Sequence, residues 1–310
     1  MSALSNLPGR HRPRSMRYVL SILIPALVMY SFGRSASSET SAAIATDPMF
    51  PPSMAELSIP ANGDRMAALI YLAEGIGPHP TLILAHGLPG NEKNLDVAQA
   101  VRRAGYNTLF FHYRGAWGSE GGFKLSSMPD DIASVVRFLR DNATRYRVDT
   151  QHISLLGHSM GGYAVIAAGA ADSGLHCIGA LAPANLGLIA EGLRSNQDWA
   201  NAFVRYSDTL FMLRDYDGNA MRDDLLSQSA TRLDTRGFAP KYSGRSILLI
   251  TGESDTVLPP QTMFEPTVAA FRRNRTIALT ALTIPGDHSF SYSRLLLTEH
   301  ILDWLNSDCR

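Results

Sequence analysis

The chain has 310 residues, 45% of them hydrophobic, and its 28 Lys plus Arg balance 28 Asp plus Glu. That length and apolar content allow one large core, and a single domain of roughly 250 residues is ordinary where strands and helices alternate. No basic excess calls for nucleic acid, and neither a His-Glu-x-x-His nor a paired Cys-x-x-Cys spacing occurs, so no metal and no cofactor is expected.

The charge is unevenly spread. Arg10, Arg12, Arg14, Arg17 and Arg34 face a single acid, Glu39, in the first 45 positions, which leaves the remainder mildly acidic. An apolar run over 18–32 follows the first basic residues and is shorter than the about 20 residues a transmembrane helix needs. Basic residues, then an apolar run, then small residues read as an export signal, with Ala43-Ile-Ala45 as a cleavage site and 35–38 as another. An uncleaved membrane anchor is the competing reading, because the basic region is long and Arg34 is foreign to a cleavage region. Residues 1–45 are therefore taken as export signal or anchor plus linker. Residues 46–310 form the folded domain, exported to a periplasm or the outside, or tethered to a membrane.

In chain order, strands over 54–60 and 65–73 form a hairpin about Asn62-Gly63-Asp64, where Asn-Gly supplies the positive φ values of a tight turn. A strand over 81–85 opens into His86-Gly87-Leu88-Pro89-Gly90, and a helix over 94–104 follows. The next strand, 108–113, runs into Tyr113-Arg-Gly-Ala-Trp-Gly-Ser119. Arg114 or Trp117 of that loop either touches a substrate or belongs to a purely structural turn. The helix over 129–141 starts with Pro129 and two acids, and its Ile132, Val135, Val136 and Leu139 share one face toward a core.

A strand over 152–156 leads into Gly157-His158-Ser159-Met160-Gly161 and a helix of small residues over 160–171, and a strand over 178–182 comes next. Residues 186–242 are more than fifty without a strong strand, too long for a plain connection, and are expected as a helical cap insertion. Trp199, Phe203, Tyr206, Phe211, Met212, Tyr216 and Met221 in it either line a pocket or hold the cap to the body. Strands over 247–251 and 277–284 alternate with helices over 260–273 and 291–306. Most of these strands are continuous apolar runs, as in an α/β fold whose mostly parallel central sheet carries helices on both faces.

The chemistry is concentrated at strand ends. Gly-x-Ser-x-Gly between a strand and a helix is a nucleophile elbow, in which glycines clear space for a strained serine at a helix N-terminus. Ser159 is the candidate nucleophile. Asp255, after the strand that ends in Thr251-Gly-Glu-Ser, is the candidate acid, and His288, in Pro285-Gly-Asp-His-Ser-Phe290, the candidate base. Glu253 and Asp287 are rivals for the acid, although Asp287 adjoins His288 and is awkwardly placed to orient its ring. A serine hydroxyl is a weak nucleophile until an imidazole takes its proton, and a carboxylate fixes that imidazole's tautomer.

These motifs, with His86-Gly-Leu-Pro-Gly90 and Tyr113-Arg-Gly-Ala-Trp-Gly-Ser119, resemble those of the α/β-hydrolases over about 55–306. Within that superfamily the chain is similar to esterases and to the catalytic domains of the prolyl oligopeptidase family. The resemblance implies an oxyanion hole made by the backbone N–H groups of Leu88 and Met160, with His86 bracing its loop. It implies carboxylic ester hydrolysis through an acyl-enzyme, or else peptide hydrolysis on small peptides or amides. The chain has no room for the β-propeller that the prolyl oligopeptidase enzymes usually carry. Acyl transfer to an alcohol, and a non-catalytic binding protein on the same scaffold, are the remaining readings. The partner is a small-molecule ester or peptide. Cys177 and Cys309 would be permitted a disulfide in an oxidising compartment, but sequence does not show whether they meet.

Overall fold

A computed structural model describes residues 47–310. The expected export signal or anchor, 1–45, lies outside the described residues. Among the described residues no helix is long and apolar enough to cross a membrane.

Eight strands form one sheet: β1 Ser53–Ala61, β2 Asp64–Leu72, β3 His79–Ala85, β4 Asn107–Phe111, β5 Val148–His158, β6 Cys177–Leu181, β7 Ser246–Gly252 and β8 Ala278–Ile284. Their spatial order is β1-β2-β4-β3-β5-β6-β7-β8. The first two pair antiparallel, β2 meets β4 antiparallel, and every later neighbour is parallel. Asn62 (φ 50°) and Gly63 (φ 92°) make the two-residue turn of the β1–β2 hairpin, with Ala61 opposite Asp64. Every residue of β4, β6 and β7 is buried, which is what parallel strands covered on both faces require.

The covering helices are α1 Leu95–Arg103, α2 Met128–Asp141, α3 Ala143–Tyr146, α4 Met160–Ala171, α5 Leu186–Ser195, α6 Gln197–Ser207, α7 Gly218–Ser227, α8 Ala230–Leu233, α9 Phe264–Arg273 and α10 Arg294–Asp308. A 3-10 helix spans Thr235–Tyr242. Residues 186–242 thus hold α5 to α8 and this 3-10 helix, between β6 and β7. The helices expected from 260 and 291 begin later, at Phe264 and Arg294, after turns at 259–263 and 290–293.

α4 has no polar face because it is buried nearly all round. Its small residues are needed for that. A Cβ on Gly162 would lie 2.9 Å from the Pro183 Cα, and one on Gly169 would lie 2.7 Å from both an Ile178 side-chain carbon and the Tyr242 hydroxyl. One apolar cluster joins α2, α4, β1 and the helices of 186–242 on one face of the sheet. The other joins α1 and α10 on the opposite face. Cys177, at the start of β6, and Cys309, just past α10, form a disulfide with Cα atoms 5.8 Å apart. The pairing that sequence leaves open is made by the return of the last helix along the sheet.

Strand order places the site. The chain goes from β3 to β4 on one side, then crosses to β5 on the other side of β3, so the connections after β3 and β5 run to opposite sides and a crevice forms over the ends of these two neighbouring strands. Loop 86–90 and the Ser159 elbow border that crevice. β7 and β8 are paired to their ends, Gly252 opposite Ile284, which brings the loops carrying Asp255 and His288 together.

Candidate active site

Ser159 sits between β5 and α4 with φ 57° and ψ −120°, a conformation that costs a non-glycine residue energy and persists only when its surroundings impose it. The surroundings are backbone. The Ser159 N–H donates to the Leu181 carbonyl at 2.8 Å, and its own carbonyl accepts from Gly162 and Ala184 at 2.9 Å each. A Cβ on Gly157 would lie 2.1 Å from the Gly161 carbonyl oxygen, and one on Gly161 would lie 2.3 Å from that of Ala85. The two flanking glycines of the pentapeptide are therefore there because chain passes through the space a side chain would take.

The three residues expected to act together are brought together. His288 Nε2 lies 2.9 Å from Ser159 Oγ, and His288 Nδ1 lies 2.7 Å from Asp255 Oδ2. Asp255 is 4% exposed, and its other oxygen accepts the N–H groups of Val257 at 2.9 Å and Leu258 at 2.8 Å. A carboxylate so held can only accept, so Nδ1 carries the proton and Nε2 is left bare toward the serine. The rivals are placed elsewhere. Glu253 is exposed. Asp287 accepts from Ser289 and Ser291 N–H and from the Ser291 hydroxyl, bonds that hold its carboxyl below the usual range and close the loop after His288.

Loop 86–90 comes against the elbow. A Cβ on Gly87 would stand 2.8 Å from the Ser159 Cβ, so only glycine lets the loop approach so closely. Leu88 and Met160 flank Ser159 in the wall of one cavity. Neither of their N–H groups donates to another group among the described residues. His86 accepts no substrate-facing role: its Nδ1 lies 2.7 Å from the Gly87 carbonyl and its Nε2 lies 3.3 Å from His112 Nδ1. Burial lowers the His86 pKa to about 4 and the His112 pKa to about 3, with Lys93 pushing in the same direction.

Arg114 and Trp117 stand outside the cavity wall. Arg114 pairs through Nε with the buried carboxylate of Asp131 on α2, and Trp117 Nε1 donates to the Pro89 carbonyl at 2.7 Å. Trp117, with φ 51°, therefore supports loop 86–90 from behind, a contact with no signal in its own segment. Sequence does not single out His158 either. It is 5% exposed, and its Nε2 lies 2.8 Å from the His288 carbonyl oxygen. The only hint of it is a polar side chain closing a buried strand.

The cavity over Ser159 measures about 280 Å³. Trp199, Phe203 and Tyr206 from α6 form one wall, Ile189 and Leu225 belong to neighbouring helices, and Val257, Leu258 and Met263 follow Asp255. No Asp, Glu, Lys, Arg or His lines it. Of the other aromatic and methionine residues named above in 186–242, Tyr216 and Met221 are buried in the core and Phe211 is 89% exposed. Among the described residues no three His, Cys, Asp or Glu side chains converge where they would hold a metal ion.

This architecture is shared with solved structures. Est1E from Butyrivibrio proteoclasticus superposes with a TM-score of 0.61 at 20% identity, covering 81% of this chain and 97% of that one, and is also known with ferulic acid bound. The Pyrococcus furiosus esterase Pf2001 superposes with a TM-score of 0.59 at 16% identity, over 84% of this chain and 94% of that one. By fold the chain is an α/β-hydrolase. The BD-FAE family model matches residues 70–176 of this α/β-hydrolase, from the last residues of β2 through the helix behind Ser159 and up to, but not into, β6. An uncharacterized 31.7 kDa protein of the traX-finO intergenic region of Escherichia coli is 36% identical over 120 residues, which are 37% of this chain and 41% of that protein. The α/β-hydrolase thus aligns with less than half the length of that relative.

Proposed function

We propose that the chain is a serine hydrolase that cleaves carboxylic esters with an uncharged, apolar acyl group through an acyl-enzyme. The observation that carries this reading is the His288 ring, hydrogen-bonded to Asp255 on one side and to Ser159 on the other, beneath an apolar cavity. Ser159 Oγ attacks the ester carbonyl as His288 Nε2 takes its proton, and Asp255 stabilises the imidazolium that forms. The Leu88 and Met160 N–H groups, the latter at the N-terminus of α4, receive the negative oxygen of the tetrahedral intermediate. His288 then returns the proton to the departing alkoxide. Water enters, gives its proton to Nε2 and attacks the acyl carbon, and collapse frees the acid and restores Ser159.

The lining favours esters over peptides. A peptidase that recognises a chain end needs a charged partner for the terminal amine or carboxylate, and the cavity wall supplies none. An apolar acyl or aryl group gains by leaving water for the cavity, at about 0.8 kcal/mol for each buried CH₂. The ferulic acid bound by Est1E makes an aryl acid a natural member of the test set. The basic and apolar N-terminal pattern and the Cys177–Cys309 bond both suit export to an oxidising compartment, which we propose as the protein's location.

The test is a fluorophosphonate probe on the full chain, read by intact mass, beside Ser159→Ala. One label per wild-type chain and none on the variant is expected. A folded wild type that takes no label would sink the mechanism. Initial rates on short-chain, medium-chain and feruloyl esters and on aminoacyl amides then read the substrate class, with the apolar esters expected to lead. Faster turnover of an aminoacyl amide would overturn the ester assignment.

A further inference from the structure

The nucleophile elbow holds His288 at two points, and only one of them is the ring. His158 ends β5, next to Ser159, and its ring packs 4.9 Å from that of His288 and 6.4 Å from that of Phe290. A carbonyl oxygen only accepts, so the 2.8 Å contact to the His288 carbonyl puts the proton on His158 Nε2 and leaves its Nδ1 bare. Burial keeps this imidazole neutral, with its pKa lowered to about 4, so the tautomer is set by the hydrogen bond and not by charge.

The His288 main chain needs such a tie. Loop 285–293 is closed on either side of it: the Ser293 hydroxyl bonds the Pro285 carbonyl, Arg294 Nη1 donates to the Ser289 carbonyl at 3.1 Å, and the Phe290 N–H donates to the Asp287 carbonyl at 3.1 Å. The last of these closes a turn with residues 288 and 289 at its centre, but none of them ties residue 288 to the strand that carries Ser159. Among the described residues, His158 is the partner of its carbonyl. The ring is meanwhile asked to meet two atoms on two other loops, Asp255 Oδ2 and Ser159 Oγ. A ring can satisfy both only if its Cα is held at one height above the sheet.

We propose that His158 is a positioning residue, which locks the His288 main chain to the same elbow that presents Ser159 and so fixes the serine–imidazole distance for the reaction. This rests on the serine hydrolase reading. Because residues 158 and 159 are adjacent, any shift of the elbow carries both attachment points together, and the His288–Ser159 geometry is preserved through it.

The experiment compares His158→Gln, His158→Asn and His158→Leu in the full chain. Gln places an amide N–H where Nε2 stood, Asn holds its amide too short to reach, and Leu removes the donor. Gln is expected to stay within about threefold of wild-type kcat, while Asn and Leu lose about 10- to 100-fold in kcat with KM nearly unchanged, the cost of a small misplacement of a reacting group. The far-downfield proton resonance of the His288–Asp255 hydrogen bond should persist in Gln and broaden or vanish in Asn and Leu.

Equal kcat in Gln and Asn, or wild-type kcat in a folded Leu variant, would overturn the proposal. If the Leu variant does not fold, the Gln and Asn pair decides by the same contrast. A purely structural role would lower the unfolding midpoint of the variants without separating kcat from KM. If the wild type neither takes the fluorophosphonate nor turns over an ester, the hydrolase reading has failed. The downfield resonance still reads the geometry in that case, and its survival in Asn and Leu would count against positioning.

Discussion

Asp255 shows how little freedom the site leaves a single side chain. One oxygen is held by two backbone N–H groups and the other faces His288 Nδ1, so the carboxylate points at the ring without adjustment. Asp255→Asn would present an amide N–H there, and the imidazole would have to turn its bare nitrogen toward it and its proton toward the serine. kcat for the best ester should fall by about 10³- to 10⁴-fold while the variant stays folded, measured as initial rates alongside a thermal melt. A loss under tenfold would mean that Asp255 does not set the tautomer. Ser159, Asp255 and His288 are legible in sequence because each sits at the end of an apolar strand in a short motif. Their helpers are not legible. Trp117 finds its partner 28 residues back at Pro89 and His158 finds His288 130 residues on, and nothing local encodes such pairings.

Among the elements, the strands and the helices on the sheet follow from apolar runs and helical spacing, since each buries a face that the sequence must write in apolar residues. The segment over 186–242 follows less well. Its expected helices are present, but which of its aromatic side chains meets the cavity depends on how α6 and α7 dock, and docking is fixed by polar contacts to distant loops. Asp224 on α7 is the clearest case. Its carboxylate accepts the Ser126 N–H at 3.1 Å, the Ser126 hydroxyl at 2.5 Å and the Tyr216 hydroxyl at 2.6 Å, and Tyr216 in turn accepts the Leu125 N–H at 3.2 Å. Leu125 lines the cavity, so this network connects the cap to the wall of the proposed acyl pocket. Asp224→Ala leaves these donors unpaired and should cost about 1–3 kcal/mol of stability. It should also depress kcat/KM for medium-chain esters more than for acetyl esters. Urea titration and the two rate ratios check it, and an unchanged acyl preference would separate the network from the wall.

At the scale of the whole molecule, two features tie stability to surroundings. The Cys177–Cys309 bond closes a sequence separation of 132 residues and pins the C-terminal helix to the sheet, so Cys309→Ser should lower the unfolding free energy by about 2–5 kcal/mol. Urea midpoints with and without reductant check this, since the variant should lose the wild type's sensitivity to reductant. The second feature is acid sensitivity from buried imidazoles. Burial is the main cause that takes His86 and His158 from 6.5 to about 4 and His112 to about 3, so in the folded state all three are harder to protonate than in the unfolded chain. Above pH about 6.5 both states are neutral at these positions and there is no effect. Between about 6.5 and 4 the unfolded chain binds protons that the folded one refuses, so stability declines as pH falls through that window and levels off only once the folded groups also protonate. The total should be on the order of a few kcal/mol, carried chiefly by the well-buried His86 and His158, because His112 is partly open to solvent screening. The urea midpoint should therefore be clearly lower at pH about 5 than at pH about 7, with proton uptake on unfolding. His158→Gln, which removes one of these groups while keeping its donor, should make the decline shallower. A midpoint that does not move between those pH values, or a Gln variant that declines as steeply as wild type, would show that these imidazoles are not held neutral by the fold.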